Sequence, residues 1–105
     1  MASTIEYRDF ILEQLELLED ITYRPMMGEF LLYYKGILFG GIYDNRLLIK
    51  IVKENEHYHL SKQIPYDGAK EMYGIEELTN QELVKQIIID TCDSLAKKKV
   101  RKKGK

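Results

Sequence analysis

The apolar positions of the first twenty residues recur at helical spacing. Tyr7, Phe10, Ile11, Leu15 and Leu18 fall on one side, while Glu6, Asp9, Glu13, Glu16 and Asp20 fall on the other. Ser3 stands three residues before Glu6 in the arrangement of a capping box, so the pattern predicts an amphipathic helix over residues 4–19. A second helical pattern opens at Thr79 or Asn80 as cap and places Val84, Ile87, Ile88, Cys92 and Leu95 opposite Glu82, Gln86, Asp90 and Asp93. Between these helices lie runs rich in Ile, Leu, Tyr and Phe, broken at Gly28, Lys35-Gly36, Asp44-Asn45 and the Pro-Tyr-Asp-Gly of residues 65–68. Residues 53–63 lack a strong period and read as a short polar helix, and residues 71–75 as a last strand. The expected fold is α+β, an antiparallel β-meander packed on one face by the N-terminal and C-terminal helices.

Strand alternation extends this to the two faces of the sheet. With two-residue loops at Lys35-Gly36 and Asp44-Asn45, Tyr34 lies opposite Ile37 and Tyr43 opposite Arg46. Leu31, Tyr33, Leu38, Gly40, Ile42, Leu47, Ile49 and Ile51 then form a wholly apolar face, the natural floor for the helices. The opposite face carries Phe30, Leu32, Tyr34, Ile37, Phe39, Gly41, Tyr43, Arg46, Leu48, Lys50 and Val52, a mixed surface with two cations among aromatics. Gly40 on the core face permits close approach or marks a bulge, and Gly41 opens a gap beside Leu48. Pro25 lacks a ladder donor, so the strand holding Arg24 is expected at the sheet edge.

Length and composition narrow the class. A chain of 105 residues with 45% hydrophobic and 31% charged residues is one globular domain with a modest core. The single cysteine, the N-terminus without signal-peptide character and the short apolar runs lead to an expected cytoplasmic protein with no membrane span. The net charge of −1 conceals a separation: all seventeen acidic residues but only nine of the sixteen basic ones lie in residues 1–96. The last stretch carries Lys97, Lys98, Lys99, Arg101, Lys102, Lys103 and Lys105. Such a block repels itself and has little to bury, so the folded domain is expected over residues 1–97 and a disordered basic tail over 98–105. Those seven cations are the candidate contact for weak, non-specific nucleic-acid binding, opposed by the acidic body, with a solubility tail or ribosome-proximal stickiness as an equally economical reading.

One segment carries a family resemblance. Arg24, Met26, Gly28, Gly36, Phe39 and Lys50 follow, without a gap, the spacing of a pattern with Arg, Met, a Gly turn, a strand Phe and a Leu-x-Leu-Lys strand. The turn at 65–68 and residues 71–83 continue the likeness. In this the chain resembles the N-terminal domain of the TfoX/Sxy competence regulators over roughly residues 9–95. Met27 stands where that family usually has Phe, Glu29 where it has a second Gly, and Leu31 where many members also have Gly. The resemblance implies an α+β domain of the stand-alone type, without the C-terminal helical domain, and no enzymatic reaction is attached to it.

Candidate chemistry is sparse. His57 and His59 beside Glu54 and Glu56 lack a third ligand nearby in sequence, and Cys92 sits among apolar helical neighbours, so neither a metal nor a nucleophile is expected. Gly40-Gly41 lies inside a strand and is no phosphate loop. The candidate partner-binding residues are Arg24, Met26, Leu32, Phe39, Tyr43, Leu48 and Lys50, on a sheet face that two helices leave open. These point to a non-enzymatic regulatory or protein-interaction domain that binds a protein partner or itself, without a cofactor. A small-ligand binder or enzyme is the competing class.

Overall fold

The computed structural model describes residues 2–103 of the backbone and the side chains of residues 2–97. Helix α1 spans Ile5–Gln14, strands β1 to β4 span Ile21–Met26, Glu29–Tyr34, Ile37–Ile42 and Leu47–Ile49, and a 3₁₀ helix spans Lys53–Tyr58. Strands β5 (Ser61–Gln63) and β6 (Met72–Gly74) precede helix α2, Gln81–Lys103. All strand pairs are antiparallel, in the order β1-β2-β3-β4-β6-β5, so the α+β sheet fold expected from the pattern is the one observed. The meander runs through β4. β6 then inserts between β4 and β5, and β5 arises from residues read as polar helix.

Helix α1 is shorter than its apolar spacing predicts. Its cap is Thr4, whose Oγ1 accepts the Tyr7 N–H at 3.0 Å, while the Ser3 hydroxyl is spent on Glu29 at 2.6 Å. Past Gln14 the last turn tightens, with the Leu18 N–H donating to Leu15 O at 3.0 Å, and Asp20 takes φ +64 so that the chain can reverse into β1. Leu15 and Leu18 still reach the core. The apolar period therefore outlasts the helix, because a compact turn can bury the same side chains.

Helix α2 opens as expected, with Asn80 Oδ1 accepting the Leu83 N–H at 3.2 Å, and buries Val84, Ile87, Ile88 and Cys92. It continues to Lys103, so the domain boundary expected at residue 97 is not a helix end. The side chains of residues 98–103, and residues 104–105 altogether, lie outside the described residues.

Both predicted hairpin loops form. Tyr34 lies opposite Ile37, Tyr43 and Arg46 exchange backbone hydrogen bonds at 2.9 and 3.0 Å, and φ is positive at Lys35, Gly36, Asp44 and Asn45, as primed two-residue turns require. Between them the register departs from simple alternation. Tyr33 pairs with Leu38, but Leu32 pairs with Gly40 and Phe30 with Ile42, so Phe39 is the extra residue of a β-bulge. A side chain at Gly40 would clash with the Leu48 carbonyl and come within 2.8 Å of Ile49 Cα, so β3 and β4 approach at a spacing that only glycine permits there.

That bulge corrects the predicted faces. The helices cover Phe30, Leu32, Tyr34, Ile37 and Phe39 along with Ile42, Leu47 and Ile49. Leu31, Tyr33 and Leu38, expected beneath the helices, point to the back of the sheet instead. One extra residue exchanges the facing of β2 relative to β4, and Leu32 and Phe39 become fully buried. Each such large apolar side chain contributes about 1.5–3 kcal/mol by leaving water.

Candidate functional site

The site lies on the back of the sheet, where alternation places Leu31 and Tyr33 of β2, Leu38 and Gly41 of β3 with Tyr43 just past it, and Leu48 of β4 with Lys50 just past it. Half of this surface is roofed by residues 64–72. Gly41 leaves room there, and the Tyr43 ring fills it: a Cβ on Gly41 would lie 2.9 Å from Tyr43 Cε2. Gly74 likewise makes room for the Gln63 amide, whose Cδ would be 2.9 Å from an added Cβ. The gap that Gly41 opens in the sheet is thus occupied from within.

Arg46 anchors this roof. Its Nη1 donates to Gln63 Oε1 at 3.0 Å, its Nη2 to the carbonyls of Ile64 and Pro65 at 3.2 and 3.3 Å, and its Nε to Tyr43 O at 3.1 Å. The planar fork of a guanidinium suits this divided task, which one ammonium group could not perform. Tyr66 then packs beside Tyr43 with ring centroids 6.1 Å apart. Beneath the roof remains a cleft of about 600 Å³, lined by residues that include Leu38, Tyr43, Lys50, Lys70 and Met72. Burial, followed by the proximity of Tyr66, Glu29 and Tyr33, pushes the Tyr43 phenol above its ordinary pKa, so it stays a protonated donor.

The other half of the back face is open. Arg24 of β1 is opposite Leu31 and exposed, Thr22 is opposite Tyr33, and Tyr33 is opposite Leu38. Leu31, Tyr33 and Leu38 form a half-buried apolar strip at the open β1 side.

The predicted partner-binding residues therefore separate into three groups. Arg24 is exposed at the edge strand, as expected from Pro25, with Met26 half-buried beside it and Met27 96% exposed at the 27–28 turn. Leu32 and Phe39 belong to the helix-packed core and offer no surface. Tyr43 and Leu48 face the expected side but are covered, and Lys50 remains half-buried in the cleft. Of the predicted basic tail, Lys97 is exposed on α2, and the side chains of Lys98, Lys99, Arg101, Lys102 and Lys103, with all of Lys105, are outside the described residues. Sequence reasoning missed Tyr66, Lys70 and the anchoring role of Arg46. The spaces at Gly41 and Gly74 were the signal that something packs over the sheet.

Other chemistry is muted. Among the described residues no three His, Cys, Asp or Glu side chains are arranged to hold a metal ion. The buried Cys92 thiol is pushed up to about 12, chiefly by burial and then by the charge of Asp93, which removes the thiolate that a nucleophile needs. Glu29, one of the three departures from the TfoX/Sxy pattern, is structural: its Oε1 accepts from the Ser3 hydroxyl and from the Asp44 N–H at 3.0 Å, tying the N-terminus to two turns. Among the described residues no helix is long and apolar enough to cross a membrane. No family model matches the chain, and no curated protein matches it closely enough to indicate kinship.

Proposed function

We propose that this protein is a non-enzymatic, cytoplasmic interaction domain that uses the open half of its back sheet to hold a protein partner, in the simplest case a second copy of itself. The observation that supports this reading is the continuous strip of Leu31, Tyr33 and Leu38, flanked by Arg24 on an uncovered edge strand. An apolar strip with a cationic rim has the composition of a contact surface, in which aromatic and aliphatic groups lose water and an Arg supplies directional bonds. Two copies meeting strip to strip would satisfy the same surface on both sides with one two-fold axis. The resemblance to the TfoX/Sxy N-terminal domain supports a regulatory setting rather than a metabolic one.

Light scattering on size-separated protein across a concentration series tests the reading. The parent is expected to gain dimer mass with concentration, and Leu31→Glu to stay monomeric with an unchanged thermal midpoint. A parent that remains monomeric throughout, and matches Leu31→Glu in retaining no protein from the native cell extract, would overturn it.

A further inference from the structure

The roofed cleft has features that the interaction surface does not use. Lys50, just past β4, and Lys70, in the roofing segment, both line it, so the sheet and the roof each contribute a cation to one space. Among the described residues neither lysine forms an ion pair. Tyr43 is only 6% exposed, yet its hydroxyl has no hydrogen-bond partner among the described residues. Among the described residues every fully buried side-chain nitrogen and oxygen does have a partner, so the Tyr43 hydroxyl must remain reachable by solvent, and Tyr43 lines the cleft. Leu38, Met72 and the ring of Tyr66 provide the apolar remainder.

A buried aromatic with an open donor, two unpaired cations and apolar walls require different things of an occupant. The donor and cations call for an anionic head, and the walls call for an apolar body. Glu71 also lines the cleft and offsets one of the two lysines, leaving a single positive charge to be matched. A volume of about 600 Å³ is within the usual range for small organic ligands.

We infer that the cleft between β3, residues 50–51 and the 65–72 roof is a binding site for a small organic monocarboxylate with an aliphatic or aromatic body, its carboxylate held by Lys50, Lys70 and the Tyr43 hydroxyl. The inference does not rest on the proposed contact strip: the two share Leu38 as an apolar wall, but none of the residues that hold the anion belongs to the strip.

Octanoate is the probe, with 1-octanol as the neutral chain of equal length and inorganic phosphate as the head without a body. Titration followed by amide chemical shifts should give saturable changes at Leu38, Tyr43 and Lys70 with octanoate at millimolar concentrations. Lys50→Met and Lys70→Met should each weaken binding about tenfold, equivalent to about 1.4 kcal/mol. Tyr43→Phe should weaken it several-fold, while Lys62→Met, outside the cleft, and Leu31→Glu, on the contact strip, should bind as the parent does. Because Lys70 is exposed, its replacement keeps the test valid even where Lys50→Met unfolds. Octanol binding as tightly as octanoate, phosphate reproducing the same shifts, or no saturable change with octanoate would each overturn the assignment.

Discussion

The side-chain amide of Asn55 donates to the Thr91 hydroxyl at 2.8 Å, joining the 3₁₀ helix to the middle of α2 at a point where both residues are completely buried. The same Asn55 donates to Lys50 O at 2.9 Å and accepts the Val52 N–H at 3.1 Å, and Thr91 donates onward to Ile87 O at 2.8 Å. This polar knot fixes the chain as it leaves β4. It also sets the base from which Lys50 projects.

Asn55→Asp is expected to destabilise the fold by about 3 kcal/mol, because a near-isosteric carboxylate would face the Lys50 carbonyl and strand donors and acceptors away from water. Thr91→Val should cost about 1 kcal/mol, since it removes one partner and keeps the shape. Denaturant unfolding measures both. Equal, small losses would show that the knot is incidental to the packing.

Gly40→Ala is expected to cost about 3 kcal/mol, because the new methyl group meets backbone atoms of β4 that cannot turn aside. Gly36→Ala is the comparison: it has φ +80 but no neighbour within 4 Å, so only the left-handed backbone is penalised, by about 1–2 kcal/mol. Thermal and denaturant midpoints should rank Gly40→Ala well below Gly36→Ala. The reverse ranking would remove close approach as the reason for the bulge.

Arg46→Gln should loosen the roof without melting the core. Four guanidinium contacts are lost, all near the β3–β4 turn and residues 63–65, while the helix-packed face is untouched. Hydrogen–deuterium exchange should accelerate across residues 63–70 and stay at parent values in α2. Acceleration spread evenly through the sheet would mean that Arg46 supports the fold as a whole.

Tyr58 donates its hydroxyl to Asp90, and its phenol is pushed up to about 12 by burial, then by that hydrogen bond and the carboxylate charge. The neutral form is favoured in the folded state, so the contribution is present below the ordinary value of 10.0 and is lost as pH rises toward about 12. Tyr58→Phe should therefore be less stable than the parent at neutral pH by about 1 kcal/mol, with the gap closing in that alkaline window. Stability curves with pH, alongside tyrosinate absorbance, decide it. A gap that stays constant to the alkaline end would separate Tyr58 from the linkage.

The sequence by itself determined the elements whose causes are local. The amphipathic period of residues 84–95, the Asn80 cap and the loops at Lys35-Gly36 and Asp44-Asn45 all depend on neighbours within a few positions, and these formed as read. Edge placement of Arg24 followed in the same way from one missing donor at Pro25. The tertiary structure decided what depends on contacts between distant residues. Ser3 lost its capping role to Glu29 and Asn45, groups that only folding brings to it. Phe39 turned inward because β4 presses on Gly40 and forces a bulge, a contact that no local pattern records. Alternation carries one such shift along the strand, so Leu32 and Phe39 entered the core, while Leu31 and Tyr33 emerged on the back face. The cleft depends on Arg46 reaching the carbonyls of a segment nearly twenty residues later. Periodicity reports which side chains share a side of their own element, whereas a site is made where separate elements meet.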